Sequence, residues 1–175
     1  HGISNIMALG GDPPRDWTPE QCSGTDFPHA IDLVHHIGAF NSRGQHPDQR
    51  GFGIGVAGFP EGHPDTPNRL QELAYLKEKV EEGADYICTQ LFFDNRDFLD
   101  FRDRCSHTGI TVPIIAGLMP ILSRRSFDRI PDLALGSRYP ARLLRRIDSC
   151  ESDEEIARVG MERSEEHTSE LQSLL

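Results

Sequence analysis

Asn5-Ile-Met-Ala-Leu-Gly-Gly-Asp-Pro13 decides the reading of this chain: a short apolar strand runs straight into a Gly-Gly turn that carries one carboxylate. Three later segments, Ile54–Pro60, Tyr86–Asp94 and Pro113–Pro120, repeat the arrangement. Each has a small or β-branched run, then Gly, Gln or aromatic residues, then a turn. Polar groups placed at the ends of several successive strands build one site at the carboxyl edge of a parallel sheet.

Helical patterns fill the intervals. Ala30–Phe40 puts Ile31, Val34 and Ile37 on one face. Thr66-Pro67 supplies an N-cap followed by proline at the first helical position, and Leu70, Leu73, Leu76 and Val80 form the buried stripe. Asn95 is the expected cap of a helix that turns Phe98, Phe101 and Cys105 inward. Gly83 and Gly109, 26 residues apart, end these two helices. Strands are expected over residues 5–9, 54–58, 86–92 and 113–117, and a less regular helical stretch over Arg124–Ile147. Residues 13–28, rich in Pro, Asp, Thr and Ser, form a long loop of the kind that is commonly functional.

Alternating β and α units of this size give an α/β fold: a parallel sheet with right-handed crossovers. A doubly wound sheet would want a G-x-G-x-x-G loop after its first strand. Gly10-Gly11-Asp12 lacks that spacing and places an acid where a pyrophosphate would sit. The expected fold is therefore a partial (β/α)8 TIM barrel with about four to five of its βα units.

Composition narrows the partners. A formal charge of −10 argues against a nucleic-acid or anionic-membrane surface, which needs clustered Lys and Arg. Cys22, Cys88, Cys105 and Cys150 lie far apart, so free thiols in a reducing cytoplasm are expected. No His/Cys metal spacing appears, and no metal is assigned. The longest apolar run, Val112–Leu122, is too short to span a bilayer and contains Pro113 and Pro120. The string from Arg163 to Leu175 lacks a clear apolar period and resembles translated adapter read-through. The expected domain is thus residues 1–162, with 163–175 set aside as a non-native or disordered tail.

Several side chains converge on the strand ends. Asp12 follows a strand and two glycines, so its carboxylate is presented at the mouth, and Gly11 lets a flat ring approach the backbone. Gly-Asp-Pro is equally good turn chemistry. Gln90 alternates with apolar neighbours, and a buried amide must be satisfied, either by a ligand with a donor–acceptor edge or by a neighbouring loop. His63 lies in the loop after the second strand, followed by Glu72, Tyr75 and Lys79 on a common helical face. A histidine and a cation there suit a diphosphate or ribityl chain, although Glu72 and Lys79 also read as a solvated face.

These motifs carry a resemblance. Asn5-Ile-Met-Ala-Leu-x-Gly-Asp-Pro13, Val56-Ala-Gly-Phe-Pro-Glu-Gly-His-Pro64, Leu76-Lys-Glu-Lys-Val-x-x-Gly-Ala-Asp85 and Thr89-Gln-Leu-Phe-Phe93 resemble the catalytic domain of methylenetetrahydrofolate reductases, in order, from about residue 3 to 161. The resemblance implies an FAD-dependent barrel that reduces 5,10-methylenetetrahydrofolate to 5-methyltetrahydrofolate with NADH or NADPH as hydride donor. It also implies a homo-oligomeric parent protein. Carried over, Asp12 is the catalytic residue, beside flavin and folate, and Gln90 contacts the folate. Gly10, Gly11, Asp12, His29, Ala30, Phe59, His63, Thr66, Glu72 and Lys79 line the FAD. Gly10 stands where the family normally has Arg, His29 where Tyr is common, and Phe59 where Tyr often occurs. The family's general-acid Glu falls upstream of His1, so residues 1–175 alone are expected to lack turnover. The competing readings are a proline dehydrogenase-like FAD barrel, weakly echoed by Arg142, Arg145 and Arg146, and a non-catalytic flavin- or folate-binding module.

Overall fold

A computed structural model describes residues 2–11, 16, 18, 27–134 and 136–173. Asp12 and Cys22 lie outside the described residues, as does most of the expected 13–28 loop. Four parallel strands form one sheet: β1 (Asn5–Ala8), β2 (Gly53–Gly58), β3 (Tyr86–Thr89) and β4 (Ile114–Ile115), in the order β1-β2-β3-β4. The helices among the described residues are α1 (Ala30–Ser42), α2 (Arg69–Glu81), α3 (Asn95–His107), α4 (Arg124–Leu133), α5 (Ala141–Asp148) and α6 (Asp153–Ser173).

Strand order and side-chain parity settle the architecture. A doubly wound sheet reverses its order at a switch point and covers both faces with helices. Here the order is sequential, and Ala8, Ile54, Val56 and Ile87 all pack on one face against Val34 and Ile37 of α1, Leu73 and Leu76 of α2, and Phe101 and Cys105 of α3. Burying each of these branched side chains contributes roughly 1.5–3 kcal/mol. The register Ile6↔Ile54, Ala8↔Val56 and Val56↔Ile87 keeps these residues in rows. This is a partial (β/α)8 barrel. Cys88, of the opposite parity, is half-buried rather than in the core that the sequence pattern suggests, because it faces away from the helices. Cys105 is buried as expected.

Local chemistry shifts several boundaries. The cap of α2 is Asn68 rather than Thr66: its Oδ1 accepts from Leu70 N (3.0 Å) and Gln71 N (3.3 Å), while Thr66 N closes a turn onto His63 O. Asp94 rather than Asn95 caps α3, accepting from Arg96 N at 3.0 Å. β3 is shorter than the apolar run Tyr86–Phe92. Gln90 N makes one more ladder bond to Gly58 O (2.7 Å), and its own Oε1 then takes Leu91 N (2.9 Å), which ends the pairing. β4 is cut to two residues, and beyond it the Thr89 hydroxyl replaces a backbone partner by accepting from Gly117 N at 2.9 Å. The stretch Arg124–Ile147 divides into α4 and α5, with Pro140 preceding α5.

α4, α5 and α6 build a second apolar cluster against the β3 and β4 ends, around Phe93, Ile121, Phe127, Ile130, Leu143, Ile147 and Ile156. Residues 163–173 continue α6 as helix. His167 and Leu171 are buried there, and Asn95 Nδ2 donates to His167 O at 3.2 Å. No helix among the described residues is long and apolar enough to cross a membrane.

Candidate active site at the carboxyl edge of the sheet

Because all four strands run parallel, their carboxyl ends open on one edge. Gly10 and Gly11 follow β1. A Cβ placed on either would meet nothing within 4 Å, and Gly11 has φ +67. The backbone there is open to a flat ligand. Asp12, the next residue and the expected catalytic group, lies outside the described residues.

The described loop after β2 is anchored by several bonds. Phe59 and His63 meet edge to face, with ring centroids 4.6 Å apart. His63 Nδ1 accepts from Asp65 N at 3.2 Å, and Thr66 N donates to His63 O at 3.0 Å. Gly62 makes the turn with φ +95, a conformation that favours glycine. Three arginines hold the loop: Arg104 Nη2 donates to Pro60 O (3.3 Å), Arg69 Nη2 to Glu61 O (2.9 Å), and Arg138 Nε to the Glu61 carboxylate (2.7 Å). Glu72 stands below, within reach of Gly62. Burial raises its carboxyl above the ordinary value, partly offset by the His63 backbone and by the Arg104, His63 and Arg69 charges.

The other expected cofactor residues are more dispersed. Lys79 lies two turns along α2 from Glu72, and its Nζ turns to Ala57 O at 3.5 Å. Burial lowers its pKa, and the Glu72 charge opposes that shift. His29 is the exposed N-cap residue of α1, its N–H donating to Asp32 Oδ2 at 2.9 Å, and Ala30 opens the helix. The structure thus gathers Phe59, His63, Thr66 and Glu72 about one loop and leaves Lys79 against the strand backbone.

Gln90 is half-buried at the end of β3. Its Oε1 is spent on Leu91 N, and no hydrogen bond from its amide nitrogen reaches another described residue. The oxygen is satisfied by the next residue in the chain rather than by a neighbouring loop, and the donor side stays available. Sequence reasoning missed Glu61 and Arg138 as a pair. The carboxylate was legible within Phe-Pro-Glu-Gly-His, but its partner is 77 residues away.

The family profile described as Methylenetetrahydrofolate reductase matches residues 1–173. This chain belongs to the methylenetetrahydrofolate reductase family. A probable methylenetetrahydrofolate reductase (NADH) from Oryza sativa subsp. japonica is 40% identical over 167 residues, covering 90% of this chain and 27% of the relative. Methylenetetrahydrofolate reductase 2 of Saccharomyces cerevisiae is 40% identical over 162 residues, covering 90% and 25%. A probable methylenetetrahydrofolate reductase (NADPH) from Caenorhabditis elegans is 36% identical over 163 residues, covering 93% and 23%. The chain thus spans about a quarter of the length of these relatives. Among solved structures, an uncharacterized protein from Clostridium thermocellum that binds two copies of 5-methyl-5,6,7,8-tetrahydrofolic acid superposes with a TM-score of 0.60. It is 21% identical, and the match covers 97% of this chain and 60% of that one, a likeness of fold.

Proposed function

We propose that the carboxyl edge of this sheet is the flavin- and folate-facing part of an FAD-dependent methylenetetrahydrofolate reductase, which reduces 5,10-methylenetetrahydrofolate to 5-methyltetrahydrofolate with NADH or NADPH. The observation that carries the reading is the sequential parallel order β1-β2-β3-β4, which brings Gly10-Gly11, the Phe59–Thr66 loop and Gln90 to one edge. The open backbone at Gly10 and Gly11 fits a planar ring, and the unspent Gln90 amide donor fits a pterin edge. The folate bound by the Clostridium thermocellum protein supports the same substrate class.

When bound, the flavin supplies the hydride relay between nicotinamide and folate. The chain's own residues bind and orient. Gly10 and Gly11 admit the ring, Phe59 and His63 wall one side, and Thr66 and Glu72 sit behind His63. Lys79 adds a positive charge beneath β2. His29 and Ala30 present the amino end of α1, whose backbone N–H groups favour an anionic group. Gln90 donates to the folate. Asp12, by its charge, favours a cationic iminium form of the substrate over the neutral one.

Full turnover is assigned to the whole protein and binding to these 175 residues, in a reducing cytoplasm where Cys88, Cys105 and Cys150 stay free, as they are here. Titrating the chain with FAD and with 5-methyltetrahydrofolate tests the binding reading. Saturable binding of neither would overturn it. Turnover of methylenetetrahydrofolate by the 175-residue polypeptide alone would overturn the division of labour, and rates with NADH and NADPH in the whole protein would assign the donor.

A further inference from the structure

We infer that Glu61 and Arg138 form a positioning pair, through which the segment between α4 and α5 sets the loop that presents Phe59 and His63 to the cofactor. The inference rests on the flavin reading above and adds a pair of residues that touch no ligand themselves.

The geometry is unusual for a charge pair near a surface. The Glu61 side chain is 3% exposed and that of Arg138 66% exposed. A carboxylate so far out of water is costly unless its oxygens are satisfied. Both are: Oε1 accepts from Arg138 N at 3.1 Å and Oε2 from Arg138 Nε at 2.7 Å. One residue thus supplies a main-chain and a side-chain donor to the same carboxylate, across 77 positions. The third charge facing the pair is Asp97, on the first turn of α3.

A second contact between the two segments does not involve charge. A Cβ on Gly136 would come within 2.4 Å of Gly62 O, so the backbones of the two loops lie against each other at the residue before His63. Ser137 Oγ donates to Leu91 O, which ties the same segment to the residue after Gln90. Residues 136–138 therefore touch both strand ends proposed to meet ligand, after β2 and after β3. Glu61 lies between Phe59 and His63, whose rings meet edge to face at 4.6 Å. A loop pinned at its centre holds that ring pair in one arrangement; unpinned, it keeps its own turn bonds and the Arg69 and Arg104 bonds to its backbone oxygens.

The test uses the whole 175-residue chain and two readouts. Arg138→Met removes the guanidinium from an exposed stem, keeps the main-chain N–H and is expected to fold; Glu61→Gln keeps the shape without the charge. Both are expected to weaken FAD binding about tenfold or more. Arg138→Lys, which retains one donor and the charge, is expected to recover most of it. In the absence of flavin, the His63 ring proton resonances, shifted by the Phe59 ring, are expected to move in Arg138→Met and Glu61→Gln, while those of His46, against Phe52, stay put. A lowered melting temperature with unchanged FAD affinity and an unmoved His63 signal would mean a structural bond only and would overturn the inference. If the wild-type chain binds no FAD, the flavin reading falls, and the clamp is judged on His63 alone: an unmoved signal removes it.

Discussion

Replacing Gly117 with alanine is expected to push β4 away from β3 and to disturb the strand end that carries Gln90. A Cβ on Gly117 would lie 2.3 Å from Thr89 O and 3.4 Å from Gln90 C. These are backbone atoms, not the free end of a flexible side chain. Reaching ordinary van der Waals contact requires an opening of roughly 1 Å. Overpacking of this kind costs about 1–3 kcal/mol. Stretching the 2.9 Å bond from Gly117 N to Thr89 Oγ1 adds about 0.5–1.5 kcal/mol. The stiffer unfolded chain of the alanine protein returns about 0.4–1 kcal/mol. The net destabilisation is about 0.5–4 kcal/mol, or a fall in melting temperature of about 1–16 °C for a chain of this size. Thermal unfolding followed by far-ultraviolet circular dichroism measures it. Gly10→Ala is the control, since a Cβ there meets nothing within 4 Å and is expected to change stability by less than about 0.5 kcal/mol. A Gly117→Ala protein that melts together with wild type would refute the close approach. One that melts lower but binds folate as tightly would refute its coupling to Gln90.

Four further outcomes are expected. Gly10→Arg, which installs the side chain that the family resemblance leads one to expect there, should tighten FAD binding about tenfold by one charge-assisted bond and leave stability unchanged; equal affinities in a fluorescence titration would remove that role. Gln90→Ala should weaken 5-methyltetrahydrofolate binding by about 5- to 100-fold, with FAD affinity held, as read by calorimetry. Glu72 has its folded pKa raised by burial, so its cost to stability grows as pH rises from the ordinary value through the raised one. Glu72→Gln should therefore gain on wild type between about pH 4 and about pH 7 in urea midpoints, and a gain that shrinks with pH would contradict the buried carboxyl. Burial pushes the Cys105 thiol up to about 11, so iodoacetamide at about pH 8 should label Cys88 and Cys150 in the native chain and reach Cys105 only after unfolding. Prompt native labelling of Cys105 would rule out its place in the core.

Much of the scaffold was legible because its signals are local. Of the expected stripe Leu70, Leu73, Leu76 and Val80, Leu73 and Leu76 are buried and Val80 packs partly against the core, but Leu70, in the first turn after the Asn68 cap, is 78% exposed; the Phe98–Phe101–Cys105 face is buried as its spacing requires. Gly83 and Gly109 follow the helices they were expected to end, with φ +118 and φ +84. The misplaced caps have an equally local reason: Thr66, Asn68, Asp94 and Asn95 are all competent cap residues, and the choice between neighbours depends on where the incoming chain already turns. Of the candidate site, Phe59, His63, Thr66 and Glu72 were readable as one loop and its helix. Lys79 was readable only as a cation, because its turn toward Ala57 O depends on the packing of α2 against β2.

The sequence by itself determined the alternation of strands and helices, the placing of Gly10, Gly11, Phe59, His63 and Gln90 at strand ends, and membership of a reductase family. Short-range periodicity and turn chemistry carry the first two, and the ordered motifs, matched by the family profile over residues 1–173, carry the third. Only the tertiary structure decided which face of the sheet is covered, that Thr89 and Gly117 touch, and that Glu61 is held by Arg138. Those contacts join residues 28 and 77 positions apart. Their energies come from desolvation and backbone approach, which exist only after the chain has closed on itself.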